Sequence, residues 1–213
     1  MRSALPIAAS LATAAFALLA INGMAAQTKS EASPRLVVDN ARVRVYRATA
    51  GNLAGVAHEP AVVIPLEDAP DSYAGDPIWV DDPAASPKAA AMRGAIVIVQ
   101  PRPKAVAPAP PPTASRPGDA PFVGMSFNPL FENDRVSVIR ARMDVGAREG
   151  FHTHGSDTIV VHLSGGEIED TADGKTVVNR WKRGDVEFEG LGTSHSARNV
   201  GAAVDVVLVA LNR

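Results

Sequence analysis

The stretch Gly146-Ala147-Arg148-Glu149-Gly150-Phe151-His152-Thr153-His154, answered further on by Gly184 and by Gly192-Thr193-Ser194-His195, decides how this chain is read. Residues two apart on a β-strand project from the same face, so His152 and His154 share a face. A second strand carrying His195 brings a third imidazole to the same point, and three imidazoles arranged in this way bind a divalent metal. The pattern predicts a metal site built on β-strands.

The surrounding sequence agrees. Arg135 to Met143 alternates, Thr158 to Leu163 is a β-branched run, and Asp185 to Glu189 places Val186 and Phe188 on one face. Ala172-Asp173-Gly174-Lys175 is a hairpin turn, and Val204 to Leu211 is an almost continuous apolar strand. Many short strands, frequent turn residues and no amphipathic helix predict an all-β antiparallel sandwich or barrel.

From Gly146 the chain reads GAREGFHTHGSDTIVVHLSG, and from Gly184 it reads GDVEFEGLGTSHSARN. These segments resemble the two motifs of the cupin superfamily. The first motif is a glycine, five residues, His-x-His, a spacer, usually a glutamate, then six residues and a glycine. The second is a glycine, five residues, usually proline, then glycine, histidine and asparagine at fixed steps. From Leu130 to Arg213 the chain resembles small bacterial cupins in particular. The resemblance implies an antiparallel cupin-type barrel of the double-stranded β-helix, or jelly-roll, kind. It places His152, His154 and His195 at metal-ligand positions and Gly165, Gly184 and Gly192 at turns, with Fe, Zn, Mn, Ni or Cu as the metal.

Two residues depart from the family pattern. Gly190 replaces the usual proline, which a turn tolerates. Thr158 stands where the family usually carries its glutamate ligand, and a hydroxyl is a poor substitute for a carboxylate on a hard cation. The expected site is therefore three neutral imidazoles with open coordination positions, suited to a small anionic chelating ligand or substrate.

Neighbouring polar residues supply further candidates. Asp157 replaces the missing carboxylate only if a bulge shifts its strand by one residue. Glu149 is read in the loop before the motif, within reach of the rim. His162 shares the parity of Thr158 and Val160 and so faces the barrel interior, where an imidazole carries protons near neutral pH. Glu149 and His162 are the candidate catalytic residues. Arg135, Arg140, Arg142, Arg148 and Arg198 are the cations available to an anion, although a solvated or partner-facing stripe explains them as well.

The chain divides at Pro101 to Pro121, a proline-rich segment that reads as an extended linker. Before it, Asn40-Ala41-Arg42-Val43-Arg44-Val45 parallels Asn133-Asp134-Arg135-Val136-Ser137-Val138, which suggests an ancient duplication. The first copy has His58-Glu59-Pro60 in place of the His-x-His and no later histidine before the linker, so it lacks a three-histidine site. The expected organisation is a signal peptide at 1–26, a degenerate cupin-like β domain at 35–100, the linker at 101–121 and a cupin domain at 122–213. The cupin resemblance implies pairing through the sheets as a homodimer, unless the first half occupies that surface and gives a pseudo-dimer within one polypeptide.

Met1 to Ala26 has a positive start at Arg2, an uncharged Ala- and Leu-rich run, and small residues before Gln27, which predicts an exported, periplasmic or secreted protein without a stable membrane anchor. The absence of cysteine restricts any metal to nitrogen and oxygen ligands. A formal net charge of −2 without a basic stripe gives no reason to expect a nucleic-acid partner. Two functions remain: a metal-dependent oxygenase or isomerase acting on a small chelating molecule, or a non-catalytic barrel that binds a small molecule or metal.

Overall fold

A computed structural model describes residues 33–103 and 122–212; the segment 1–26 and most of the proline-rich segment lie outside the described residues. The first half forms β1 (Arg35–Asp39), β2 (Val43–Thr49), β3 (Ala61–Pro65), β4 (Ile78–Val80), the short helix α1 (Pro87–Ala91) and β5 (Ala95–Pro101). The second forms β6 (Val123–Glu132), β7 (Val136–Thr153), β8 (Thr158–His162), β9 (Gly166–Ala172), β10 (Lys175–Trp181), β11 (Val186–Glu189), β12 (Ser194–Asn199) and β13 (Val204–Leu211). The fold is all-β, antiparallel and curled, as the cupin resemblance implies. Pro101, expected to open the linker, instead closes β5 opposite Val43, at a strand end where no amide donor is missed. The predicted hairpin forms between β9 and β10, with Asp173 and Gly174 both left-handed at φ 51° and 72°. No helix among the described residues is long and apolar enough to cross a membrane.

The internal repeat is visible strand by strand. The first sheet runs β1-β2-β5-β3-β4, and the second runs β10-β9-β12-β7-β13-β8-β11 with β6 added on β7. Without β9, β10 and β12, the second order is β6-β7-β13-β8-β11, which is the first order again. Register agrees as well: Val45, Val99, Val62 and Trp79 pair in sequence across one sheet, and Val138, Val209, Ile159 and Phe188 across the other. The Asn40 side chain accepts from the amides of Arg42 and Val43 at 2.8 and 3.0 Å, and Asn133 accepts from those of Arg135 and Val136 at 2.8 and 2.9 Å. Among the described residues the first half has no counterparts of β9, β10 and β12, so its repeat covers one wall of the barrel.

Strand alternation explains how the halves meet. On β13, Val207, Val209 and Leu211 join Val138 and Val161 against Val45, Ile64 and Val99 of the first sheet, in one buried cluster. Each such side chain contributes about 1.5–3 kcal/mol by leaving water. The alternate residues Val204, Val206 and Leu208 point into the curl of the second sheet and line its cavity. Polar contacts cross between the halves reciprocally: Arg42 Nε donates to Asp157 Oδ2 at 2.8 Å, and an Arg135 guanidinium nitrogen donates to the Pro101 carbonyl at 2.7 Å.

Candidate metal centre

β7 delivers His152, the turn just beyond it delivers His154, and β12 carries His195, its second residue, opposite His152 in register. His154 is fixed through its backbone: its amide donates to Thr193 O and its carbonyl accepts from Gly192 N, both at 2.9 Å. Gly192 sits at φ 82°, a conformation its turn requires and glycine supplies without strain. One ring nitrogen from each histidine lies within 4.8 Å of the others, and Nε2 of His154 is 3.1 Å from Nε2 of His195. Donors sharing a metal at about 2.1 Å are separated by roughly 3.0–3.4 Å, so this spacing fits an ion between them.

The outward nitrogens are held. His152 Nδ1 donates to Gly150 O at 2.9 Å, and His195 Nδ1 donates to Asp170 Oδ1 at 2.9 Å. Because those oxygens accept, the ring protons of His152 and His195 lie on Nδ1 and leave the Nε2 lone pairs turned inward. His154 Nδ1 lies 3.5 Å from Glu189 Oε2.

A one-residue bulge brings a carboxylate to the same cluster. His152 opposes His195 and Glu149 opposes Ala197, so Gly150 and Phe151 on β7 stand against the single residue Ser196 on β12. On a regular strand residues three apart face opposite ways; the bulge turns Glu149 and His152 to the same cavity and Phe151 outward. Glu149 is thus on a strand, not in the loop expected from sequence. Its Oε1 lies 3.7 Å from His152 Nε2, and its Oε2 lies 4.0 Å from His195 Nε2.

β11 adds two more carboxylates that sequence reading missed. Val186 and Phe188 pack against the apolar cluster shared with the first half, which turns Glu187 and Glu189 into the cavity. The signal was present in the alternation, but the usual apolar-inward assumption points the strand the wrong way. Burial pushes the Glu189 carboxyl up to about 8, helped by Glu187, Glu149 and Asp170, and burial also raises Glu187. Burial lowers His154 to about 4, with His195 and His152 adding to the effect. The His154–Glu189 contact is therefore one of neutral groups at neutral pH when no cation is present.

The enclosed space is about 250 Å³, with the half-exposed rings of Phe122 and Phe127 beside Met125 on one side. The Phe122 ring meets the His152 ring edge-on at 5.0 Å. His162 faces inward as its parity predicts, only 1% exposed, stacked on Trp181 at 4.7 Å; both its ring nitrogens are buried without a hydrogen-bond partner. Burial holds its pKa down to about 4.

The remaining candidates are placed elsewhere or otherwise engaged. Thr158 lines the cavity, its hydroxyl 3.4 Å from that of Ser156. Asp157 faces the first half, with one oxygen on Arg42 and the other accepting from Leu191 N at 2.9 Å. His58 is 77% exposed and bonded to Asp82 at 2.7 Å. Arg140 is bound to Asp205 and Arg198 to Glu169, while Arg148 lies exposed on β7. Arg142 borders the cavity but pairs with Asp144 at 3.1 Å. Gly184 takes φ 78°, whereas at Gly165 a Cβ would press on the Trp181 carbonyl at 3.1 Å, a tight contact. Asn199, the last residue of the second motif, is buried and bonds the carbonyls of Met143, Asp144 and Ala202, a structural anchor.

No family model and no curated protein matches the chain. Among solved structures, a cupin domain from Bordetella pertussis Tohama I aligns at 23% identity and TM-score 0.40, over 43% of this chain and 96% of its own. An RmlC-like cupin from Shewanella frigidimarina NCIMB 400 aligns at 20% identity and TM-score 0.36, over 42% of this chain and 78% of its own. KdgF from a Halomonas species aligns at 21% identity and TM-score 0.37, over 42% and 80%.

Proposed function

We propose that this chain, a cupin by its fold, binds a divalent transition metal at the Nε2 atoms of His152, His154 and His195 and offers it to a small molecule entering the cavity. The observation that carries this reading is the outward anchoring of the imidazoles: Gly150 O and Asp170 hold two of them by Nδ1, which orients their lone pairs before any ion arrives. The crowding of Glu149, Asp170, Glu187 and Glu189 supports it too. Carboxylates that raise one another's proton affinity are relieved by a nearby cation.

When bound, the metal supplies Lewis acidity or, if redox-active, dioxygen chemistry. The chain's own residues do the rest. Phe122, Met125 and Phe127 give one side of the cavity an apolar lining, and Glu187 and Glu189 are placed to take and return a proton at their Oε atoms. This arrangement favours a metal-dependent oxygenase or isomerase over a passive barrel, because several convergent polar groups line the space beside the metal. The substrate class changes from the sequence expectation. An anionic molecule suited a site of neutral ligands, whereas four carboxylates around the metal favour a neutral oxygen- or nitrogen-bearing chelator. The reading of segment 1–26 as a signal supports an exported protein.

The test loads the protein with Co²⁺ and follows its visible spectrum while imidazole, a neutral ligand, is added. A saturable band shift is expected, since open coordination positions face the cavity. A Co²⁺ spectrum indifferent to imidazole marks a closed structural site and overturns the proposal.

A further inference from the structure

The geometry points to Glu149 as a fourth protein ligand of the metal, supplying from β7 the carboxylate that position 158 lacks. The inference rests on the three-histidine reading and adds a residue to it. Among the carboxylates near the cluster, Asp170 is committed to the outer nitrogen of His195, Glu189 to the outer side of His154, and Asp157 to Arg42 and the Leu191 amide, while Glu187 lines the cavity without forming an ion pair to any of the three histidines. Glu149 alone approaches inward nitrogens, with one oxygen 3.7 Å from His152 Nε2 and the other 4.0 Å from His195 Nε2. Among the described residues its carboxylate takes no backbone or guanidinium hydrogen bond, so its oxygens are available.

The bulge explains why the glutamate serves from this position. Two residues against one at Gly150–Phe151 put Glu149 and His152 on one face, and the Gly150 carbonyl at the bulge also receives the His152 Nδ1 proton. One backbone irregularity therefore aims a carboxylate and orients an imidazole together. Glu149 stands just outside the group that the three histidine nitrogens form within 4.8 Å; from 3.7 Å to His152 Nε2 and 4.0 Å to His195 Nε2, its carboxylate reaches the roughly 3.0–3.4 Å expected between donors on a shared ion by a side-chain torsional movement of about an ångström or more. The resulting donor set is three neutral nitrogens and one carboxylate, and position 158 is left free to line the cavity with a hydroxyl.

The test is Co²⁺ titration of metal-free full-length protein, read by affinity and by the visible spectrum, for wild type, Glu149→Gln and Glu149→Asp. Circular dichroism confirms that each variant is folded. Ligation predicts that both variants bind Co²⁺ more weakly by roughly ten- to a hundredfold or more, a loss that outer partners of metal ligands alone produce. Both should also give altered Co²⁺ bands. Glu149→Asp separates ligation from a through-space charge, because it keeps the charge and withdraws the oxygens. A Glu149→Asp protein with wild-type affinity and spectrum overturns the proposal, as does a Glu149→Gln protein indistinguishable from wild type; the three-histidine site survives either result. Failure of the wild type to bind Co²⁺ removes the three-histidine reading and this inference with it.

Discussion

Asp157→Ala separates a structural carboxylate from a metal ligand. Asp157 is 12% exposed, accepts from Leu191 N at 2.9 Å with one oxygen, and holds Arg42 Nε at 2.8 Å with the other. Hydrogen bonds to a charged group contribute about 1.5–3 kcal/mol each. Arg42 is 27% exposed and regains water when released, which discounts its share. The net loss is about 2–4 kcal/mol, and at 2–4 °C per kcal/mol for a chain of this size Tm falls by roughly 5–15 °C. Asp157→Asn keeps an acceptor for Leu191 and should lose about half as much. Thermal unfolding followed by circular dichroism measures both. A fall under about 0.5 kcal/mol for Asp157→Ala, the range of an ordinary surface change, would refute the interlocking of the halves through this residue. Loss of metal from a variant of unchanged stability would show instead that Asp157 is a ligand.

Two more outcomes follow from the site. Asp170→Asn weakens the hold on the His195 tautomer and should lower Co²⁺ affinity about 10- to 100-fold, or about 1.4–2.8 kcal/mol, in a calorimetric titration; an unchanged affinity removes Asp170 from the site's design. His162 is held down to about 4 by burial while the unfolded chain titrates near 6.5, so the unfolded state takes the proton first. Its stabilising effect is complete above about pH 6.5 and declines as pH falls toward 4, by up to about 1.4 kcal/mol per pH unit. His162→Phe keeps the stack on Trp181 and removes the two unpartnered nitrogens, so urea midpoints at pH 5 and pH 7 should lie closer together than in wild type. Equal separations in the two proteins would contradict the burial argument.

Much of the site was legible because its signals are local. The His-x-His step of two fixes a shared face, the second motif fixes where the third histidine returns, and the Asp173-Gly174 turn acts within a few residues. Glu149 was not legible in its role, because the Gly150–Phe151 bulge is a mismatch between β7 and β12, some 45 residues apart, and neither strand alone reveals it. Asp157 would have needed a bulge to bring its carboxylate to the site; it instead precedes β8 and its side chain turns to Arg42. Glu187 and Glu189 were hidden for a different reason. Their strand places its apolar face against the other half of the chain, so the core side of β11 is outside the barrel and its acidic side within. The first repeat was expected to be degenerate, but a parallel clearest at Asn40–Ala48 and Asn133–Ala141 does not reveal that it is β9, β10 and β12 that lack counterparts among the described residues.

The most direct measurement is the metal content of the protein purified without added metal, and again after reconstitution and dialysis, beside a His152→Ala, His154→Ala double variant handled identically. The account predicts close to one divalent transition metal per chain in the wild type and none retained by the variant, with both folded, because the apolar strands and not the ion make the core. Equal metal content in the two proteins, or none in the wild type after reconstitution, would contradict it.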